Sequence, residues 1–184
     1  LASYPGFTMT GPPTPASPYG IYRPEYVERG QVDHTVVHSD GTKEVIADGA
    51  TTSYAAAPIG PLAYDVPAGP TTRAALGTFV HARSGDKGGD ANLGLWVAHT
   101  ADRRPERVEW LLATVTPDWV RTLLPETEGL DIDVHRLPNL GGVNIVIHRL
   151  LGDGVAASTR FDPQAKGLGE WARSRHVEIP EGLA

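Results

Sequence analysis

His81-Ala82-Arg83-Ser84-Gly85-Asp86-Lys87-Gly88-Gly89-Asp90-Ala91-Asn92 separates two apolar runs, Ala74–Val80 before it and Leu93–Ala98 after it. Glycines at 85, 88 and 89 each lose more conformational freedom on folding than a residue with a side chain would. Their presence predicts a compact polar loop whose backbone turns tightly or approaches something closely. The ionisable residues between them give that loop two uses: holding an anion, or ordering a contact with another chain. Ala75–Val80 and Leu93–Ala98 are expected to be the strands on either side.

Downstream, the apolar spacing changes period. Val108, Leu111, Leu112 and Val115 follow the i, i+3, i+4, i+7 pattern of a helix running through Arg104–Leu112. Thr116, Pro117 and Asp118 read as N-cap, first helical position and first-turn acid of a second helix, with Trp119, Val120, Leu123 and Leu124 as its apolar stripe. Leu130, Ile132 and Val134 alternate with Asp131, Asp133 and His135, as in a half-buried strand. Val143, Ile145 and Ile147 repeat that alternation after the turn Pro138-Asn139-Leu140-Gly141-Gly142. Asp162 is expected to cap a helix beginning at Pro163, with Leu168 and Trp171 on its buried side. Strand, strand, helices, strand, strand, helix in this order predicts an α+β sandwich: a mostly antiparallel sheet with helices on one face.

The first seventy residues are different. Proline and glycine crowd residues 1–31, where Pro12-Pro13-Thr14-Pro15 and Ser17-Pro18-Tyr19-Gly20 forbid a regular helix. Tyr4, Phe7, Tyr19, Tyr22 and Tyr26 are too many aromatics for a segment that stays disordered, so an extended arm packed on another surface is expected. Val32–Val37 and Lys43–Ala47 read as a hairpin around Ser39-Asp40-Gly41. His34 and His38 share a strand face at a spacing that would need outside ligands to hold a metal. Pro58, Pro61, Pro67 and Pro70 mark a linker, which places a boundary between an arm (1–72) and a folded domain (73–184). The chain opens on Leu1 with no signal-like leader, and an upstream part is expected.

Composition removes several function classes. The net charge of -6 comes without a dense basic run, which argues against nucleic acid. No apolar stretch is long enough for a membrane span. With no cysteine there is no disulfide framework and no thiolate chemistry, and a cytoplasmic setting is expected.

His81, Asp86, Lys87 and Asp90 are the candidate catalytic residues, His81 standing at a strand end where a general base would serve. Arg83 or Lys87 can meet a phosphate or carboxylate, with backbone N–H groups from Ser84 to Gly89 lining an anion nest. Ser84, Asn92, Asn139, Asn144 and Arg160 are candidate substrate-binding groups; the two later asparagines would fix a carbonyl or thioester oxygen. No cofactor is predicted. A divalent cation on His81, Asp86 and Asp90 stays open, as do structural pairs Arg83–Asp86 and Lys87–Asp162. The loop is neither a Walker motif nor a dinucleotide fingerprint.

The 81–88 stretch with Ala91-Asn92, the stretch Leu137-Pro138-Asn139-Leu140 with Asn144, and Arg160-Phe161-Asp162-Pro163-Gln164 with Lys166 together resemble the C-terminal ferredoxin-like domain of the acyclic terpene utilisation protein A family. The resemblance covers roughly residues 73–172. Leu1–Phe7 and Ser17–Gly20 resemble the end of the large N-terminal domain that precedes this module in the family. It implies a ferredoxin-like sandwich. It also implies a partner, namely that large domain as a separate or cleaved chain, in a hetero- or homo-oligomer. An acyl-CoA or related carboxylic substrate undergoing hydratase or lyase chemistry is implied, with the loop at a shared cleft. The alternative is a structural module that stabilises the large domain without contributing catalytic groups.

Overall fold

The computed structural model describes residues 11–12, 15–21, 23, 25–50, 64–65 and 69–184. Its organising element is a four-stranded antiparallel sheet built from two hairpins laid side by side. Strand β4 (Val80–Lys87) pairs with β5 (Asp90–Val97), β6 (Ile132–Leu137) with β7 (Gly142–Ile147), and β5 with β7 joins the hairpins in the order β4-β5-β7-β6. Ala91, Leu93, Leu95 and Val97 of β5 and Val143, Ile145 and Ile147 of β7 point to one face and are buried. Helices α1 (Arg104–Thr114), α2 (Pro117–Leu123) and α3 (Leu168–Ser174) cover that face only. The result is the ferredoxin-like sandwich, with an irregular region before it.

The helices form for the reasons their spacing suggests. Val108, Leu111 and Leu112 of α1, and Val115 just beyond it, are all buried. Trp110 meets Phe79 edge-to-face at 5.4 Å, which adds directionality to the apolar contact. Thr116 Oγ1 accepts from the Trp119 N–H at 3.2 Å and so caps α2. Helix α3 lies close on β4 because the contact is made of small groups. A Cβ on Gly169 would stand 3.2 Å from the Ala82 Cβ, and the Gly169 N–H donates to Ser84 Oγ at 2.8 Å. A separate ribbon, β3 (Thr71–Ala75) against β8 (His176–Pro180), borders the helical layer.

Three expectations are corrected. The stretch 81–92 is not a loop but most of a hairpin, with only Gly88 and Gly89 between the strands. Gly88 takes φ +65, which favours glycine, and a Cβ on Gly89 would overlap the Gly152 carbonyl. Ala75–Val80 is not one strand: β3 ends at Ala75, and a 3-10 turn at Leu76–Thr78 buries Leu76 before β4 begins. The Leu76 N–H there donates to the Arg175 carbonyl at 2.8 Å. The last helix begins at Leu168, not Pro163, because Ala165 takes φ +51 and interrupts helical backbone. Asp162 instead accepts from the N–H groups of Lys166 and Gly167 at 2.9 and 2.8 Å. Leu168 is buried but Trp171 is 49% exposed, with the Arg175 guanidinium 4.3 Å above its ring.

In the arm the hairpin forms from β1 (His34–Val37) and β2 (Lys43–Ile46), with Gly41 at φ +84 and Asp40 holding the Thr42 N–H and hydroxyl. His38 hydrogen-bonds Glu44 at 3.1 Å instead of joining His34. Every described residue from 15 to 50 is exposed, Tyr19 and Tyr26 included, so that region is not packed on the sandwich. Tyr4, Phe7 and Tyr22 lie outside the described residues.

Candidate functional site

Because side chains alternate along a strand, the sheet face opposite the helices collects the other half of each strand. Its four rows follow from the register: His81, Trp96, Gly142 and Leu137; Arg83, Gly94, Asn144 and His135; Gly85, Asn92, Val146 and Asp133; Lys87 and Asp90. His148 follows β7 and continues the last row. Among the described residues no helix covers this face, and the polar groups on it face outward.

Three glycines keep its centre shallow. A Cβ on Gly142 would stand 2.5 Å from the Leu95 carbonyl oxygen and 2.9 Å from the Trp96 Cβ, so only glycine fits. Gly94 has no neighbour closer than 3.7 Å at the same test, and Gly85 has the Lys166 Nζ at 3.3 Å. Lys166 therefore comes round the edge of β4 and lays its ammonium over Gly85, between Arg83 and Lys87. None of these three cations has a carboxylate within 4.0 Å among the described residues. Across the floor, Asn92 Nδ2 donates to Asn144 Oδ1 at 2.5 Å. At one end His81 stacks on Trp96 with ring centroids 5.8 Å apart.

The other end is a closed ionic group. His148 Nδ1 lies 3.1 Å from Asp90 Oδ2 and its Nε2 lies 2.9 Å from Asp133 Oδ2, while Asp90 Oδ1 accepts the Arg149 N–H at 2.8 Å. The hydrogen bond to Asp133 raises the His148 pKa above the ordinary 6.5, against the effect of burial; Asp90 adds to the rise. The same bond lowers the Asp133 carboxyl below 3.8. His148 thus keeps a larger protonated fraction at neutral pH than a free imidazole.

Of the sequence-derived candidates, His81, Arg83, Lys87, Asp90, Asn92 and Asn144 meet on this face. Ser84 and Asp86 point to the helical side, Ser84 holding the α3 backbone. Asn139 is exposed in the 3-10 turn Pro138–Leu140. Arg160 lies away from the sheet, 4.0 Å from Glu126, with its Nε buried and unpartnered. Asp86 and Arg83 are on opposite faces and make no pair, and Asp162 is taken by backbone N–H groups instead of Lys87. Asp86 also stands apart from His81 and Asp90, and no group of three His, Asp or Glu side chains among the described residues is arranged to hold a metal ion. The sequence reading missed His148, Asp133 and Lys166 as site residues. The first two sit at polar positions of alternating strands, which is a usable signal; Lys166 arrives from a distant turn and carries none in the strand pattern, its one signal being its place in the third stretch of the resemblance.

Two hollows lie elsewhere. An open groove of about 1160 Å3 runs between α1, α2 and the β3–β8 ribbon, and a smaller one of about 710 Å3 lies beside Arg160, Phe161 and Trp171. No described helix is long and apolar enough to cross a membrane.

Compared with known proteins, residues 74–178 match the family described as the AtuA ferredoxin-like domain. No curated protein and no solved structure matches the chain.

Proposed function

Since the chain belongs to the AtuA ferredoxin-like domain family, we propose that it is the small component of an enzyme assembly whose open sheet face forms one wall of a shared active-site cleft. The observation that carries this is the row Arg83, Lys166 and Lys87 along β4, three cations without carboxylate partners in a chain of net charge -6. Unpaired cations around a glycine suit an anionic group brought close to the backbone. An acyl-CoA carries such anionic groups in its phosphates, which would lie on Arg83, Lys87 and Lys166, with the Asn92–Asn144 amides beside its pantetheine arm. His148, its pKa raised by two carboxylates, would have to release one of them to donate a proton, as hydratase or lyase chemistry at an enolate requires. His81, stacked on Trp96, would bound the apolar end.

A flat face holds no small molecule alone, because a binding site has to bury most of its ligand. The cover proposed is the family's large domain, as a separate or cleaved chain in the cytoplasm. The exposed aromatics Tyr19 and Tyr26 of the arm, placed before a boundary near residue 72, would dock on it. One observation favours the structural alternative: Asn92 with Asn144, and Asp90 with His148, satisfy each other without a ligand.

The test is to purify the assembly through a tag on this chain, titrate it with coenzyme A in a calorimeter, and repeat with Lys87→Glu. The expected result is roughly tenfold or greater weakening, as a lost charge-assisted contact gives, with the large chain still co-eluting. Unchanged affinity, no affinity in the wild-type assembly, or loss only in step with dissociation of the large chain would overturn the proposal.

A further inference from the structure

The helical side of the sandwich carries a second feature that the open face does not use. The groove of about 1160 Å3 is lined by Trp110, Trp119, Leu123, Pro125 and Val177 on its apolar part. Its rim holds Arg73, Arg175 and His176, and Thr114 also lines it.

Two polar atoms there are buried without any hydrogen-bond partner, Thr114 Oγ1 and Arg175 Nε. Native proteins pair nearly all such groups, and an unpaired one calls for a ligand or water that completes it. Neither Arg73 nor Arg175 has a carboxylate within 4.0 Å among the described residues. Glu178, the acid among the lining residues, accepts from Thr71 Oγ1 at 2.7 Å. The Arg175 guanidinium lies across the Trp171 ring at 4.3 Å, which restricts its motion. An apolar bed between two tryptophans with an arginine rim fits an amphiphile with an anionic head.

We infer that this groove is a binding site for a medium-chain carboxylate or a similar anionic amphiphile, separate from the open sheet face. The apolar chain lies along Trp110, Trp119 and Leu123, and the head group meets Arg73 and Arg175.

Decanoate serves as the probe on the whole chain, followed by calorimetry and by tryptophan fluorescence. Saturable binding is expected, at least roughly tenfold tighter than that of decyltrimethylammonium, whose head has the opposite charge. Arg73→Gln, on an exposed strand position that leaves the core untouched, is expected to weaken decanoate several-fold. Arg175→Gln should weaken it further. Because Arg175 also packs on Trp171, a second measurement stands apart from folding: a diazirine-bearing decanoate should label the 110–125 peptide of the wild-type chain. Absence of saturable binding, equal affinity for the two head groups, an Arg73→Gln variant that binds as tightly as wild type, or labelling confined to other peptides would each overturn the inference. Coenzyme A binding at the open face is read independently, so the two proposals fail separately.

Discussion

Gly142→Ala and Gly94→Ala add the same methyl group to the same sheet face and should have opposite effects. At Gly142 the new Cβ meets the Leu95 carbonyl oxygen at 2.5 Å and the Trp96 Cβ at 2.9 Å. Neither can swing aside, because one is backbone and the other is the first atom of a side chain stacked against His81. Overpacking costs ~1–3 kcal/mol, and rigid neighbours place this case at ~2–3. In a domain of this size each kcal/mol lowers the melting temperature by ~4–8 °C, so a fall of about 10–20 °C is expected. At Gly94 the nearest atom is 3.7 Å away, an ordinary contact. Alanine there gains up to ~0.5–1 kcal/mol over glycine in a strand, so the melting temperature should hold or rise slightly. Differential scanning calorimetry of the two variants beside the wild type decides the matter. Gly142→Ala melting with the wild type, or Gly94→Ala melting as low as Gly142→Ala is expected to, would refute the steric account of these glycines.

Two further outcomes follow from the hydrogen bonding. His148 has a folded pKa above its unfolded value, so its contribution is complete below about pH 6.5 and disappears as pH rises through the folded value; Asp133, with a depressed pKa, contributes above about 3.8 and loses this as pH falls further. The stability gap between wild type and His148→Gln in urea should therefore be widest between these values and narrow above neutrality, and an imidazole NMR titration midpoint at or below 6.5 would contradict it. Thr116→Ala removes the α2 cap and should cost ~1 kcal/mol, with Thr116→Ser retaining most of it, as read from urea midpoints at constant slope.

The elements with strong apolar periodicity were legible in the sequence. In α1, β6 and β7 the buried side chains are large, and the spacing alone reveals which face is covered. The hairpin at 81–92 was not legible as strand, because β4 meets α3 through Ala82 and Ser84, groups too small to write a hydrophobic alternation. The displaced start of α3 depends on Ala165 at φ +51, a conformation to which alanine gives no clue. The same logic governs the site. His81, Arg83, Lys87, Asp90 and Asn92 could be gathered from one stretch, but their separation from Ser84 and Asp86 required the knowledge that the stretch is strand. His148 with Asp90 and Asp133 required the register, which sequence spacing does not specify across separate hairpins.

The open face divides into two unlike halves, and the division bears on which residues meet a ligand. Toward β6 and β7 the charges are mutually satisfied: His148 occupies both carboxylates, and the amide pair closes the centre. Toward β4 the cations have no carboxylate partner among the described residues, Lys87 donating only to the Asp86 carbonyl. A simpler reason for charge on β4 exists, since it is an edge strand, and lysine or arginine there discourages pairing with another sheet. That reason accounts for Arg83 and Lys87 but not for Lys166, which comes from outside the strand to cover a glycine in the middle of the row. It also makes no demand on the sign of the charge. Lys87→Glu would guard the edge as well as lysine does, leaving the protein equally soluble and the assembly unchanged. Coenzyme A affinity would then survive the reversal if the cations only protect the edge, and would collapse if they hold an anion. A neutral substitution separates the two explanations less sharply than this change of sign.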